Sequence, residues 1–515
     1  MRQGSTGSTT APAERWISLF AVCGAAGMVW LAFSGLAVAI PTLADEFHSS
    51  MTTLQWANNA FSLVTGALVI AGGRFADLFG RRLMLQVGTL LLTAFSVLAA
   101  LAPTAAWLIV GRGLMGIGAA LVLPASLALI PREFSGRAEV AAFGVWQAVA
   151  WGGLSVGPAI SGALTDAFGW QWLFWINIPL AVVTLTVVRL TTPESRDTGV
   201  SRHIDVPGLA AVGLAVFALL YALTEGPDAG WTSPLTVGLL VAAVVLAAAW
   251  IRIERRVRRP LVDLKLFRIR TYDGALTANL TMNVLYAGLS FLLVLWLQNV
   301  RGYDPVEAGA LLLPATAGVF LCIPLGGRLE NRLGGGRPPV VLGLFLAAVG
   351  LAGLGALGDD TTTWLLAGGL FVTGLGLGLV STPVADTAVG EVPADLSGTA
   401  AGVFKMSSML GGALGVAGFS AAARGITVRE GDDVVRASGL SQEEVSQAKE
   451  ALVNSSSFHE AIASLPSDIR ETVARVATEA FTSGVAGTMR AAAVVGLVAA
   501  VAVFFVWPRG PRRAR

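Results

Sequence analysis

Gly73-x-x-x-Asp77-x-x-Gly80-Arg81-Arg82 sets a carboxylate and a guanidinium pair in a short turn between two apolar runs, Met51–Gly73 and Leu83–Ala102. Gly73 and Gly80 permit a sharp bend. Asp77 can accept from helix-terminal amides or pair with a guanidinium, and Arg81 and Arg82 hold positive charge at one membrane face. This is binding chemistry. Two further basic residues stand where charge is costly. Arg112 lies in Leu108-x-x-x-Arg112-x-x-x-Gly116-x-Gly118-Ala119-Ala120, and Lys405 lies inside a late apolar run. At helical rise Lys405 is roughly 10 Å deep. An arginine at the centre of a bilayer costs about 2.5–3.5 kcal/mol on insertion scales, so it needs a cavity or a partner. Lys405 can take up and release a proton and is a candidate for coupling. Plainer roles stay open: Arg112 tied to helix carbonyls for packing, Lys405 snorkelling to the nearer surface.

Little else on the chain could make or break bonds. His48, His203 and His459 are scattered over loops, and no phosphate-cradling loop is present. A membrane enzyme would need clustered acids, histidines or a metal site, so no enzyme, metal or cofactor is expected. Cys23 and Cys322 lie inside apolar runs and are too few for a disulfide framework.

The elements that carry these residues must be membrane helices. The chain is 54% apolar and 13% charged, whereas a soluble domain is about a quarter charged. Its runs are continuously apolar, which excludes the alternating strands of a barrel. With about 20 residues per crossing, spans fall near 16–41, 54–73, 83–102, 105–131, 140–165, 170–189, 206–225 and 233–251. Six more fall near 274–298, 307–327, 338–358, 362–385, 397–423 and 489–507, making fourteen. The run Trp16–Ala44 is too long for a signal-peptide core and reads as an uncleaved first span.

Arginine placement orients the bundle. With the N-terminus inside, the short outward loops hold only Arg301, while eight Lys or Arg lie between Arg252 and Arg270 and four in the tail from Arg509. Both ends are therefore expected in the cytosol. The basic loop reads as a topology and anionic-lipid signal, not as a nucleic-acid site. Loop 386–396 is the exception, inward yet without Arg or Lys.

The glycine-arginine turn returns as Gly326-Gly327-Arg328-Leu329-Glu330-Asn331-Arg332-Leu333-Gly334, about half the chain later. A duplicated half built from spans marks a transporter with a central pathway. The division is a tail (1–15), a six-helix half (16–189), an inserted pair with its linker (190–270), a second six-helix half (271–507) and a basic tail (508–515). Segment 424–488 reads as an outward helical cap, with a capping box at Ser441-Gln442-Glu443-Glu444 and an amphipathic stretch after Pro466. Asn331 replaces the acid in the second turn, which therefore lacks the charged clasp.

The first turn closely resembles the signature loop of the major facilitator superfamily, in which the loop latches the outward-facing state. The stretch around Arg112 is similar to that family's fourth-span motif, linked there to proton coupling. Gly153-x-x-x-Gly157-Pro158-x-x-Ser161-Gly162 resembles the fifth-span motif of exporters, with Ser161 in place of a glycine. Gly411, Gly412 and Gly415 occupy the analogous span of the second half. Trp170-Gln171-Trp172-Leu173-Phe174-x-x-Asn177-x-Pro179, Asp205-Val206-Pro207-Gly208, Pro260-Leu261-Val262-Asp263-Leu264 and Gly390-Glu391-Val392-Pro393 narrow the match. Together they look like the fourteen-span drug:proton antiporter family.

The resemblance implies an all-α major facilitator fold of two six-helix halves and two inserted helices. It implies a monomer in the bacterial cytoplasmic membrane, with small hydrophobic or amphipathic substrates, protons and lipids as partners and the proton gradient as energy source. The expected activity is drug export by alternating access, or dedicated export of one metabolite such as an antibiotic, a siderophore or a lipid-like molecule. Cavity candidates are Trp30, Asn58, Asn59, Trp146, Gln147, Asn279 and Asn283, each equally able to be helix–helix glue. One departure stands out: the acid frequent in the family's first span is Ala32 here. The nearest carboxylates, Asp45, Glu46, Asp166, Glu225, Asp273 and Asp386, lie at span ends.

Overall fold

Lipid offers no hydrogen bonds, so each apolar run must satisfy its own backbone and becomes a helix. The computed structural model describes residues 12–195, 205–257, 260, 262–358, 362–437 and 467–508. Among these, fourteen helices are long and apolar enough to cross a bilayer. They are α1 (Pro12–Phe47), α2 (Met51–Phe79), α3 (Arg81–Ala100), α4 (Ala105–Glu133), α5 (Arg137–Phe168) and α6 (Trp172–Thr191). Next come α7 (Val206–Ala229), α8 (Pro234–Glu254), α9 (Arg270–Asn299) and α10 (Glu307–Leu333). The last are α11 (Arg337–Leu354), α12 (Thr363–Ala385), α13 (Ser397–Ala437) and α14 (Ser467–Val506). The expected number of spans is present.

Side-chain caps set several helix starts. Ser50 accepts from Thr53 N at 3.1 Å, and Ser233 accepts from Thr236 N at 3.2 Å. In Asp205-Val206-Pro207-Gly208 the acid accepts from Gly208 N at 3.0 Å, while Pro207 occupies the first turn, where a missing N–H costs nothing. The tryptophan-rich motif is likewise structural: Trp170 Nε1 donates to Glu46 at 2.6 Å, and Asn177 Nδ2 to Ser96 Oγ at 2.9 Å.

The duplication is visible in the packing. In the first half α2 and α3 pack on α4, and α1 packs on α5; in the second α10 and α11 pack on α12, and α9 on α13. Every pair recurs eight helices later. The inserted α7 packs on α8, and also on α2 and α13, one helix from each half. The Trp56 and Tyr221 rings meet there with centroids 5.3 Å apart.

The largest difference from the sequence reading is in the fourteenth span, expected at 489–507. Helix α14 already runs from Ser467, and Val476, Ala477, Ala480, Phe481 and Val485 are buried. Trp296 Nε1 donates to Thr482 Oγ1 at 3.0 Å. Gly484 lies against Thr427 and Gly487 against Ile426 of α13, a close approach that any side chain would block. Small and hydroxyl residues lowered the apparent hydropathy of a stretch that is packed against a neighbouring helix. The helices α13 and α14 thus carry both described flanks of 424–488 as continuations of spans. The capping box at Ser441–Glu444, Pro466, His203, His459, Leu261, the first eleven residues and the tail from Arg509 lie outside the described residues.

Candidate functional site

Helix α2 brings the clasp to the seam between the halves. A Cβ at Gly72 would strike the Ala120 carbonyl of α4, and one at Gly73 the Gly398 carbonyl of α13, so only glycines let α2 run between these two helices. One turn on, Asp77 is fully buried. Its Oδ1 accepts from Gly398 N at 2.8 Å and from Arg81 Nη2 at 2.7 Å; its Oδ2 accepts from Thr399 N at 2.7 Å and Thr399 Oγ1 at 2.9 Å. Asp77 of one half therefore caps the N-terminus of α13 in the other, where backbone amides have no partners of their own. Removing one member of such a buried pair typically costs about 3–5 kcal/mol.

Arg81, also fully buried, donates through Nη2 to the Ala394 carbonyl at 2.7 Å. Arg132 at the end of α4 donates to the same carbonyl at 2.7 Å. Loop 386–396 needs no Arg or Lys of its own, because the first half reaches across and supplies two. Gly80 has φ 120° and places its backbone against Glu194, whose carboxylate accepts from Arg82 N at 3.3 Å and Leu83 N at 3.1 Å. Arg82 binds the Thr192 carbonyl at 2.9 Å, so it fixes the end of α6 and does not cross the seam.

In the second copy of the turn, Gly327 faces Val140 of α5. Asn331 is half-buried and makes no hydrogen bond among the described residues. This seam is joined deeper instead. Gln147 Nε2 donates to Ser381 Oγ at 2.6 Å and to its carbonyl at 3.0 Å, and Trp151 Nε1 donates to Ser381 Oγ at 3.0 Å. Gly144 packs on Thr382, Gly152 on Phe320, and Ser155 Oγ meets Thr316 Oγ1 at 3.3 Å. Both seams are thus closed on the clasp side.

Arg112 is 1% exposed and tied within its own half. Its Nη2 donates to Asn58 Oδ1 at 2.6 Å and to the backbone carbonyl of Ala32 at 2.9 Å, and the guanidinium lies over Phe61 at 4.5 Å. At the position where the resemblance would put an acid, the main chain of Ala32 serves as acceptor. Asn59 is half-buried beside it and carries no hydrogen bond among the described residues.

Lys405 is different. It is 4% exposed, with neither an ion pair nor a hydrogen bond among the described residues. Its Nζ lies over three rings: Trp146 at 4.2 Å, Phe404 at 5.1 Å and Trp30 at 5.4 Å. Each such contact contributes roughly 2 kcal/mol where water is excluded. Trp146 is fully buried and anchored by Nε1 donating to Ser126 Oγ at 3.0 Å. Trp30 is half-buried, and its Nε1 has no hydrogen-bond partner among the described residues. Asn279 is committed elsewhere, donating to the Phe404 carbonyl at 3.0 Å and to Ser407 and Ser408 at 2.7 and 2.9 Å, so it ties α9 to α13. Asn283 turns back on the Asn279 carbonyl at 2.8 Å.

The exporter-type motif holds the cage in place. Gly153 lies against Trp30 Cβ, Gly157 against Ser34, and Gly162 against Val38, so α5 and α1 approach closely around Pro158. Ser34 Oγ donates to the Gly153 carbonyl at 3.0 Å. Ser161, the departure from the motif, faces Gly35 of α1: the small residue has moved to the opposite helix. Sequence reasoning missed Ser381, Trp151, Arg132 and Ala394. Only Trp151, one helical turn after Gln147, carried a signal that could have been read.

Comparison with known proteins places these features in context. The model of the Major Facilitator Superfamily matches residues 22–416. "Multidrug resistance protein Stp" of Mycobacterium tuberculosis is 36% identical over 381 residues, covering 74% of this chain and 70% of that protein. "Quinolone resistance protein NorB" of Staphylococcus aureus is 32% identical over 391 residues, covering 75% and 84%. Two solved structures share the fold at 14% identity. The human organic anion transporter MFSD10 has a TM-score of 0.60 and covers 95% of this chain and 100% of its own. The proton:xylose symporter XylE has a TM-score of 0.61 and covers 96% of each.

Proposed function

The chain belongs to the Major Facilitator Superfamily, and on that premise we propose that it exports hydrophobic or amphipathic drugs from bacteria in exchange for protons. The observation that carries this reading is the Asp77 clasp: one buried carboxylate holds the N-terminus of α13 in the opposite half and can hold it in only one of two states. Alternating access requires such a reversible closure between two rigid halves. The resistance proteins named above, similar over most of their length, support drugs as the cargo.

The clasp face is the cytosolic one in this reading, so both termini lie inside. Impermeant thiol labelling of a Ser455→Cys variant lacking Cys23 and Cys322 should succeed on intact cells; labelling only after lysis overturns the orientation. Of the two coupling candidates, Arg112 is held by acceptors and its guanidinium does not deprotonate in proteins. Lys405 has no such tether and is assigned as the proton-binding group. The test is transport in proteoliposomes under an imposed pH gradient, with a quinolone and neutral, cationic and anionic dyes. Concentrative flux that a protonophore abolishes is expected; flux indifferent to the gradient refutes proton exchange.

A further inference from the structure

Two donors meet in the middle of the molecule with no acceptor between them among the described residues. The Lys405 ammonium rests on the rings of Trp146, Phe404 and Trp30, and Trp30 Nε1 is buried without a partner. Among the described residues no carboxylate answers the ammonium. On the surrounding helices, Arg112 faces Asn58 and Asp77 faces Arg81 and the amides of α13. The other charged groups of α1, α2, α4, α5 and α9 lie towards the helix ends, among them Arg15, Glu46, Arg74, Arg132, Arg137, Asp166 and Asp273; the next on α13, Arg424, is 19 residues on, and the buried Glu139 and Asp386 have other partners. The cage also joins the halves: Trp30 comes from α1, Trp146 from α5, and Lys405 with Phe404 from α13. A ring face accepts either a cation or another flat apolar surface, and cannot accept both at once.

We propose that the faces of Trp30 and Trp146 form an aromatic subsite for neutral, planar hydrophobic substrates, which the Lys405 ammonium occupies when no substrate is bound. This deepens the proton-exchange reading and rests on it. A protonated Lys405 fills the subsite and excludes substrate. Loss of the proton frees the ring faces, and Trp30 Nε1 then donates to an acceptor on the incoming molecule. On the acidic side a proton restores the ammonium, which returns to the rings and displaces the cargo. Substrate and proton thus exclude each other at one place, which is the requirement for exchange without a first-span acid.

The test uses purified full-length protein and the neutral dye N-phenyl-1-naphthylamine, with binding read by fluorescence and transport read in proteoliposomes. Wild type should bind the dye about fivefold or more tightly at pH 9 than at pH 6. The Lys405→Met variant should bind equally at both, at the wild-type pH 9 affinity. It should lose gradient-driven accumulation. Lys405→Arg, which keeps the charge and cannot shed it, should bind weakly at both pH values. A monodisperse chromatographic profile confirms folding of each variant. Equal wild-type affinity at both pH values, or gradient-driven accumulation by Lys405→Met at the wild-type rate, overturns the proposal. Absence of transport by wild type for every dye overturns the export reading instead.

Discussion

The two seams between the halves descend from one duplicated plan and are closed by different physics. Where α2 meets α13, a carboxylate, a guanidinium and two helix-terminal amides are gathered at 2.7–2.8 Å in a fully buried cluster. Where α5 meets α10 and α12, the turn presents Asn331 at the position of the counterpart acid, with the buried Glu330 beside it. The centre of that seam is held by neutral bonds from Gln147 and Trp151 to Ser381. Charge-assisted bonds are about twice as strong as neutral ones, and a broken buried ion pair leaves a group that is costly to abandon. One seam is therefore held by a charge-assisted clasp, and the centre of the other by neutral bonds.

Substitutions should separate the two. Asp77→Asn strips the charge from the latch and leaves Arg81 buried without its carboxylate. Uptake into inverted vesicles should fall more than tenfold at unchanged protein level in the membrane. Gly73→Ala should come next. Its methyl would meet a backbone carbonyl that has no room to move, whereas the methyl of Gly327→Ala meets a Val140 methyl group at 2.9 Å that a rotation can relieve. Efflux should drop several-fold for the first and less than twofold for the second. Asn331→Asp should do least, within about twofold of wild type, because no helix-terminal amide is paired with Asn331. An effect of Asn331→Asp as severe as that of Asp77→Asn would mean that the seams act symmetrically, and the comparison would collapse.

How much of this was legible in advance follows from where the information resides. Spans are written in composition because lipid acts on every residue of a run, and all fourteen could be read. The exception proves the rule: residues 474–488 are shielded by α9 and α13, so Thr482 and Gly484 reflect protein neighbours and not lipid. Asp77 was legible from its turn. Its partners were not, since Gly398 and Thr399 engage it through backbone amides 321 and 322 residues away, and any sequence presents those. Ser381 looked like one small residue among many. Lys405 was readable as an anomaly, an ammonium without an acid, but the rings that receive it come from three helices and no spacing announces them.

The inserted pair gives the molecule a flank. Helix α7 lies against α2 and α13 together, with Leu220 at Gly66 and Gly213 near the Ala67 carbonyl, and α8 covers α7 in turn. The latch side of the bundle is thus wrapped from the bilayer by two extra walls, whereas α5 and α10 meet with no inserted helix beside them. A solute already dissolved among the acyl chains encounters a shuttered edge on one side and a bare edge on the other. The near-symmetric halves have acquired a front and a back.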